Sequence, residues 1–135
     1  MLSFVSTLYL CPILDLLLTE VPDIWHPEVR LGLQEALVNA AKHGNHLDPH
    51  KKISVRFAKT GNYFWWIIAD QGSGFSHPCG CVEELKDDNP EAIGDCGRGL
   101  YILHQIFDEV QWNRGGRELH LCKQIRTRFN RPRIV

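Results

Sequence analysis

Glu35-Ala36-Leu37-Val38-Asn39-Ala40-Ala41-Lys42-His43-Gly44-Asn45 closes the longest helical pattern in the chain. At 100° per residue, Leu33, Ala36, Leu37, Ala40 and Ala41 gather on one side. Glu35, Asn39 and His43 fall at i, i+4 and i+8 on another, with Lys42 beside them. A solvated helix face is the competing reading for any polar stripe. This stripe, however, carries an acid, an amide and two bases rather than repeated Glu/Lys pairs. It also stops at Gly44-Asn45, which puts Lys42 and His43 at the lip of whatever follows.

Upstream, the pattern starts near Pro27, a residue suited to a first helical turn, after a shorter helix predicted over Ile13–Thr19 and closed off by Pro22. The apolar start, Met1 to Leu18, has no Lys or Arg before Arg30 and is interrupted by Pro12 and Asp15, so it reads as an edge strand and a short helix rather than a signal peptide or membrane span. Downstream, Ile53, Val55 and Phe57 alternate with Ser54 and Arg56 over Lys52–Lys59, and Thr60-Gly61-Asn62 turns the chain into Tyr63–Ala69. Gln71 to Gly97 is rich in glycine and charge and too long for a simple connection, the mark of a functional or mobile loop. A helical pattern resumes over Leu100–Phe107. Arg114-Gly115-Gly116 then joins Val110–Asn113 to Glu118–Gln124 as a second hairpin. Strand, helix, helix, hairpin, long loop, helix, hairpin is the order of an α+β sandwich, with helices on one face of a mixed sheet.

Composition narrows the function classes. The chain has 135 residues, 44% hydrophobic and 23% charged, which fits one folded domain and excludes a mostly disordered or collagen-like chain. A net charge of -1 gives no overall pull toward nucleic acid. The charge is uneven. Residues 1–122 hold 10 basic and 16 acidic groups, a balance of -6, whereas 123–135 hold Lys123, Arg126, Arg128, Arg131 and Arg133 with no acid, a balance of +5. That segment reads as a solvated tail after the last strand, with contact to an acidic partner as the other reading. Cys11, Cys79, Cys81, Cys96 and Cys122 are odd in number and lack a disulfide framework, so reduced thiols in a cytoplasm are the simpler inference.

Two further stretches carry chemistry. Asp70-Gln71-Gly72-Ser73-Gly74 follows a strand; an acid there can accept a hydrogen bond from an exocyclic amine, and the glycines let a ligand approach the backbone. Gly97-Arg98-Gly99-Leu100 precedes a helix, where free backbone N–H groups and the helix N-terminus suit phosphate. It is not a dinucleotide-binding fingerprint, because it follows a long loop rather than a strand. Each stretch alone is a weak signal, since Asp and Gly are common turn residues.

In this order the three stretches are specific. Glu35 to Asn45 resembles the N box, Asp70 to Gly74 the first glycine box, and Gly97 to Leu100 the second, of the histidine-kinase-like (GHKL) ATPases. Within that superfamily the chain resembles the anti-sigma-factor serine/threonine protein kinases over roughly residues 3–125, which implies a domain at 1–125 with 126–135 as a basic tail. With 34 residues before Glu35, a phosphoacceptor helical hairpin of the sensor histidine kinase type is not expected, nor, at this length, are the further domains of a topoisomerase, chaperone or mismatch-repair ATPase. The resemblance implies a two-layer α+β sandwich of the Bergerat type, with a mixed, mostly antiparallel sheet.

It also implies roles. Asn39 resembles the Mg²⁺ ligand, and Glu35, one turn earlier, the base that takes the proton of a serine or threonine hydroxyl. Asp70 would read adenine through its amino group, and Gly72 and Gly74 would make room for the base. Lys42 and His43 are candidate phosphate contacts, with capping of their own helix as the other reading; Arg98, beside Gly97 and Gly99, is a candidate phosphate contact that position alone does not establish. The implied cofactors are ATP and Mg²⁺, and the implied partners a sigma factor and a small anti-sigma antagonist that is phosphorylated, with no direct nucleic acid and no membrane; a homodimer stays open. The alternative is a binding module that controls a partner by ATP or ADP state without transferring phosphate. In the expected lid, His77, Cys79, Cys81 and the later Cys96 suggest zinc, but a Cys-x-Cys with one His lacks the usual pairs, and a loop containing thiols is the preferred reading.

Overall fold

The computed structural model describes residues 1–72, 95–113, 115 and 117–125, with side chains between 95 and 99 excepted. The elements are β1 (Leu2–Val5), α1 (Cys11–Leu17), a 3₁₀ turn (Asp23–Trp25), α2 (His26–Asn39) continued by a π-helical turn (Ala40–Gly44), β2 (Lys52–Thr60), β3 (Tyr63–Ala69), α3 (Asp95–Ile106), β4 (Glu109–Asn113) and β5 (Glu118–Gln124). The strand order is β1-β2-β3-β5-β4. The sheet expected to be mixed and mostly antiparallel is antiparallel at all four of its described pairings. The reason is that every neighbouring pair described is either a tight hairpin or runs in opposite senses across the helical connections.

The period-2 pattern sorts the sheet into two faces. Ile53, Val55, Phe64, Trp66, Ile68, Leu119 and Leu121 are buried, and they form one core with Leu14, Leu33, Leu37 and Leu103 from the helices. Burying each such side chain contributes roughly 1.5–3 kcal/mol. Phe57, Phe64, Trp66 and Phe107 meet edge-on or tilted at centroid distances of 5.6–6.3 Å, which joins the sheet to the end of α3. A Cβ on Gly32 of α2 would lie 2.5 Å from the Phe107 ring, so a hydrogen at this position lets α2 and α3 pack closely.

Three points differ from the sequence reading, the first being that α1 runs Cys11–Leu17 rather than Ile13–Thr19. Helix α3 begins at Asp95, not Leu100, so Gly97 and Gly99 lie inside its first two turns rather than in a loop ahead of it. Glycine is about 1 kcal/mol less favourable than alanine in a helix, which makes a glycine-rich start read as loop. Docking of Leu100, Leu103, Ile106 and Phe107 against the core outweighs that preference. The third is Lys123, counted with the solvated basic tail but in fact buried in β5. Its Nζ donates to Glu28 Oε1 at 3.2 Å and to the Ile106 carbonyl at 2.7 Å, and lies 4.8 Å from the centre of the Trp25 ring. Residues 126–135 and 73–94, the latter including His77, Cys79 and Cys81, lie outside the described residues.

Candidate nucleotide site

The end of α2 is where the helix changes pitch. Asn45 N–H donates to the Ala40 carbonyl at 2.9 Å, five residues back, and Leu47 N–H to Ala41 at 2.7 Å, six back. A π turn of this kind adds a residue to the helical repeat and is frequent at functional sites. It therefore bends the straight Glu35–Asn39–His43 line that an ideal helix would give. Asn39 is buried at the last regular position, Glu35 and His43 are partly buried, and Lys42 is exposed. The chain then takes a left-handed backbone at His46 (φ 53°) and Leu47 (φ 57°), a conformation costing roughly 1–2 kcal/mol for a residue with a Cβ.

Asn45 is the residue that holds this turn in place. It is fully buried, and its side chain makes three hydrogen bonds that tie together the ends of β1, β2 and β3. Its Nδ2 donates to Ser6 Oγ at 2.8 Å beyond β1 and to the Lys52 carbonyl at 3.0 Å on β2, while its Oδ1 accepts from Gln71 N–H at 2.7 Å beyond β3. Gln71 answers by accepting from Lys52 N–H through Oε1 at 2.7 Å. Sequence reasoning took Gly44-Asn45 as a helix stop closing the N-box resemblance, and gave Asn45 no role of its own. An amide directly after a helical glycine was the available signal, but its partners lie 7 to 39 residues away and no local pattern names them.

These bonds bring the ends of α2 and β3 into contact. A Cβ on Gly44 would run into the Asp70 carboxyl group, with Cγ 2.5 Å away, and a Cβ on Gly72 would lie 2.7 Å from the Gly44 carbonyl carbon. Only glycine at both positions lets the two backbones and the carboxylate share this space. Asp70 Oδ1 accepts from Gly72 N–H at 2.8 Å. Burial pushes the Asp70 carboxyl above its ordinary 3.8, opposed by the Gly72 hydrogen bond and by the positive charges of Arg117, Lys51 and His46.

Asp70 opens onto a cavity of about 370 Å³ lined by Ala69, Asp70, Gln71, Gly72, Arg117 and Glu118, within the size range of small-molecule sites. Thus Asp70, Gly72 and Gly44 are brought together. Glu35, Asn39, Lys42 and His43 follow along the helix that ends at Gly44. Gly74 lies outside the described residues. Gly97, Arg98 and Gly99 are placed only as backbone of α3.

Among the described residues no group of three or more His, Cys, Asp or Glu side chains is placed to hold a metal. A single amide oxygen at Asn39 instead suits Mg²⁺, which keeps its waters and takes most other ligands from phosphate. No helix among the described residues is long and apolar enough to cross a membrane.

Known proteins bear on this geometry at two levels. A solved structure, the histidine kinase domain from the Erythrobacter litoralis EL346 blue-light activated histidine kinase, superposes with a TM-score of 0.52 at 18% identity over 77% of this chain and 46% of that one. That likeness extends to the fold. In sequence, the serine-protein kinase RsbW of Bacillus licheniformis is 28% identical over 87 residues, 62% of this chain and 54% of the relative. RsbW of Bacillus subtilis is 25% identical over 91 residues, with the same shares covered. The anti-sigma F factor of Oceanobacillus iheyensis is 27% identical over 84 residues, 62% of this chain and 57% of the relative. The chain thus spans about half the length of the curated relatives it matches. A model of the histidine kinase-like ATPase domain matches residues 17–123, from the end of α1 to the buried lysine of β5, and so takes in both the amide-bearing helix and the Gly44–Asp70–Gly72 junction: the chain belongs to the histidine kinase-like ATPase domain family.

Proposed function

We propose that this domain binds Mg²⁺-ATP and transfers the γ-phosphoryl group to a serine or threonine hydroxyl of a small anti-sigma antagonist protein, acting in the cytoplasm as the kinase of a partner-switching pathway that also holds a sigma factor. The observation that carries this reading is the junction of Gly44, Asp70 and Gly72 at the end of the helix bearing Glu35 and Asn39. Relatives named as serine-protein kinases and an anti-sigma factor support the substrate class.

In this reading the Asp70 carboxylate accepts a hydrogen bond from the adenine amino group, and the missing side chains at Gly44 and Gly72 leave space beside it. Asn39 would hold Mg²⁺ through its amide oxygen, and the chemistry such an ion would supply is neutralisation of phosphate charge. Glu35 takes the proton of the attacking hydroxyl as its oxygen bonds to the γ-phosphorus. The bond from that phosphorus to the β–γ bridging oxygen breaks, and ADP leaves with the electron pair. Lys42 and His43, on the π turn, and Arg98, near the start of α3, supply positive charge and N–H donors for the phosphates.

Incubation with labelled ATP, Mg²⁺ and candidate antagonists from the same genome tests the whole reading. Transfer of label that depends on Mg²⁺ and is weakened by Asn39→Ala supports it. Nucleotide binding without transfer to any candidate favours a nucleotide-state binding module instead. No adenine nucleotide bound at millimolar concentration overturns the site assignment.

A further inference from the structure

We infer that Arg117 is a specificity-determining residue that reads the nucleotide base together with Asp70, its guanidinium donating to adenine N1 while the Asp70 carboxylate accepts from the 6-amino group. The inference rests on the adenine-nucleotide reading above and assigns it a second base-contacting side chain.

The placement follows from the sheet. The β3–β5 ladder pairs Ala69 with Glu118 and continues one step, with Asp70 N–H donating to the Arg117 carbonyl at 3.0 Å. Asp70 and Arg117 therefore leave adjacent strands at the same level, and both line the cavity of about 370 Å³ beside Gly72. The carboxylate is fixed from below by Gly72 N–H at 2.8 Å and by close packing on Gly44. Arg117 is exposed, and its charge acts on the Asp70 carboxyl against the effect of burial, so the two groups are electrostatic neighbours at the cavity.

An acceptor set beside a donor is the complement of the adenine edge, which offers an amino donor at position 6 next to an acceptor at N1. Guanine offers the reverse, an oxygen at position 6 and an N–H at position 1. It would place its oxygen against the Asp70 carboxylate and its N–H against the guanidinium. Specificity then comes from repulsion as well as attraction.

Titration calorimetry with ATP and 1-deaza-ATP, in which N1 is replaced by C–H, tests this. Wild type should bind 1-deaza-ATP about tenfold more weakly than ATP, the low end of what a charged hydrogen bond contributes. Arg117→Ala should weaken ATP about tenfold and bind the two nucleotides equally, and Arg117→Gln, which keeps N–H donors, should recover part of the difference. Thermal melting of each variant tells a lost base contact from a lost fold, and the backbone bond from Asp70 N–H to the Arg117 carbonyl is common to all of them. Unchanged ATP affinity in Arg117→Ala overturns the inference. So does an equal loss for both nucleotides with the wild-type ratio kept, which would put the guanidinium on the phosphates. Either result leaves the adenine site standing, whereas a wild-type protein that binds neither nucleotide overturns that site and this inference with it.

Discussion

Glu35 and Asp70 are both carboxylates, yet their surroundings assign them opposite tests. Glu35 lies one helical turn before Asn39 and is only partly buried, so its loss should leave the nucleotide pocket intact. Glu35→Gln is expected to keep ATP affinity within about twofold while phosphotransfer to the antagonist falls about 10²–10⁴-fold, the usual worth of general-base assistance, as measured by single-turnover transfer of labelled phosphate. Asp70 sits where burial favours its neutral form, and only the ionised form accepts from an amino group through either oxygen. ATP affinity should therefore fall on acidification through a titration above 3.8, the ordinary value for the residue, and Asp70→Asn should lack that step while keeping the nucleotide's own pH dependence. The stability effect has the other sign. A carboxyl raised by folding favours the folded state below its unfolded value and loses that contribution as pH rises through its folded value. Asp70→Asn should thus melt no lower than wild type at neutral pH while binding ATP about tenfold or more weakly, a pairing that thermal scans and calorimetry read together.

Among the elements, what was legible in the sequence is what depends on local periodicity. Tyr63–Ala69 and Glu118–Gln124 stand where their alternation and flanking turns put them, and α2 starts beside Pro27 as its pattern requires. The π turn was not legible. Ala40 to Gly44 fits an α-helix equally well, and the turn is anchored by Asn45, whose partners Ser6, Lys52 and Gln71 lie at the ends of three strands or just past them. The same holds for the junction, where the sequence shows two glycines and an acid but not that they touch. Asn45→Ala is expected to destabilise by about 3 kcal/mol or more, because it leaves Gln71 N–H and the Lys52 carbonyl without their partner as it removes three hydrogen bonds. Gly44→Ala and Gly72→Ala should differ in kind. The first collides with a side chain that can rotate away, so it should cost about 1–3 kcal/mol and displace Asp70 from its binding position. The second collides with the Gly44 carbonyl, which can move only with the backbone, and should cost more. Denaturant unfolding, followed by nucleotide titration of the folded fraction, ranks them.

At the scale of the whole molecule, the site depends on how α2 and α3 are held against the sheet, and one buried charge contributes to that at the far end of both helices. Lys123 of β5 reaches Glu28 in the first turn of α2 and the Ile106 carbonyl at the last residue of α3. It is 6% exposed, and Glu28 Oε2 has no hydrogen-bond partner among the described residues, so the pair stands at the edge of what a low-dielectric interior tolerates. This arrangement was beyond a sequence reading, since a lysine next to an arginine-rich stretch looks solvated, and the carboxylate that pairs with it is 95 residues earlier. Removing one partner strands a buried charge. Glu28→Leu alone, or Lys123→Met alone, should therefore lower stability by about 3–5 kcal/mol, whereas the double variant should recover most of it, because an apolar pair of similar volume is often neutral or stabilising. If the ion pair does more than fill space, and fixes the angle at which α3 meets α2, the double variant will fold as stably as the parent yet bind ATP less tightly. Glu28 and Lys123 line neither the junction at Gly44 nor the cavity at Asp70, so a change in affinity at unchanged stability can reach the site only through the set of the two helices. Equal affinity in parent and double variant would show that hydrophobic packing alone orients them.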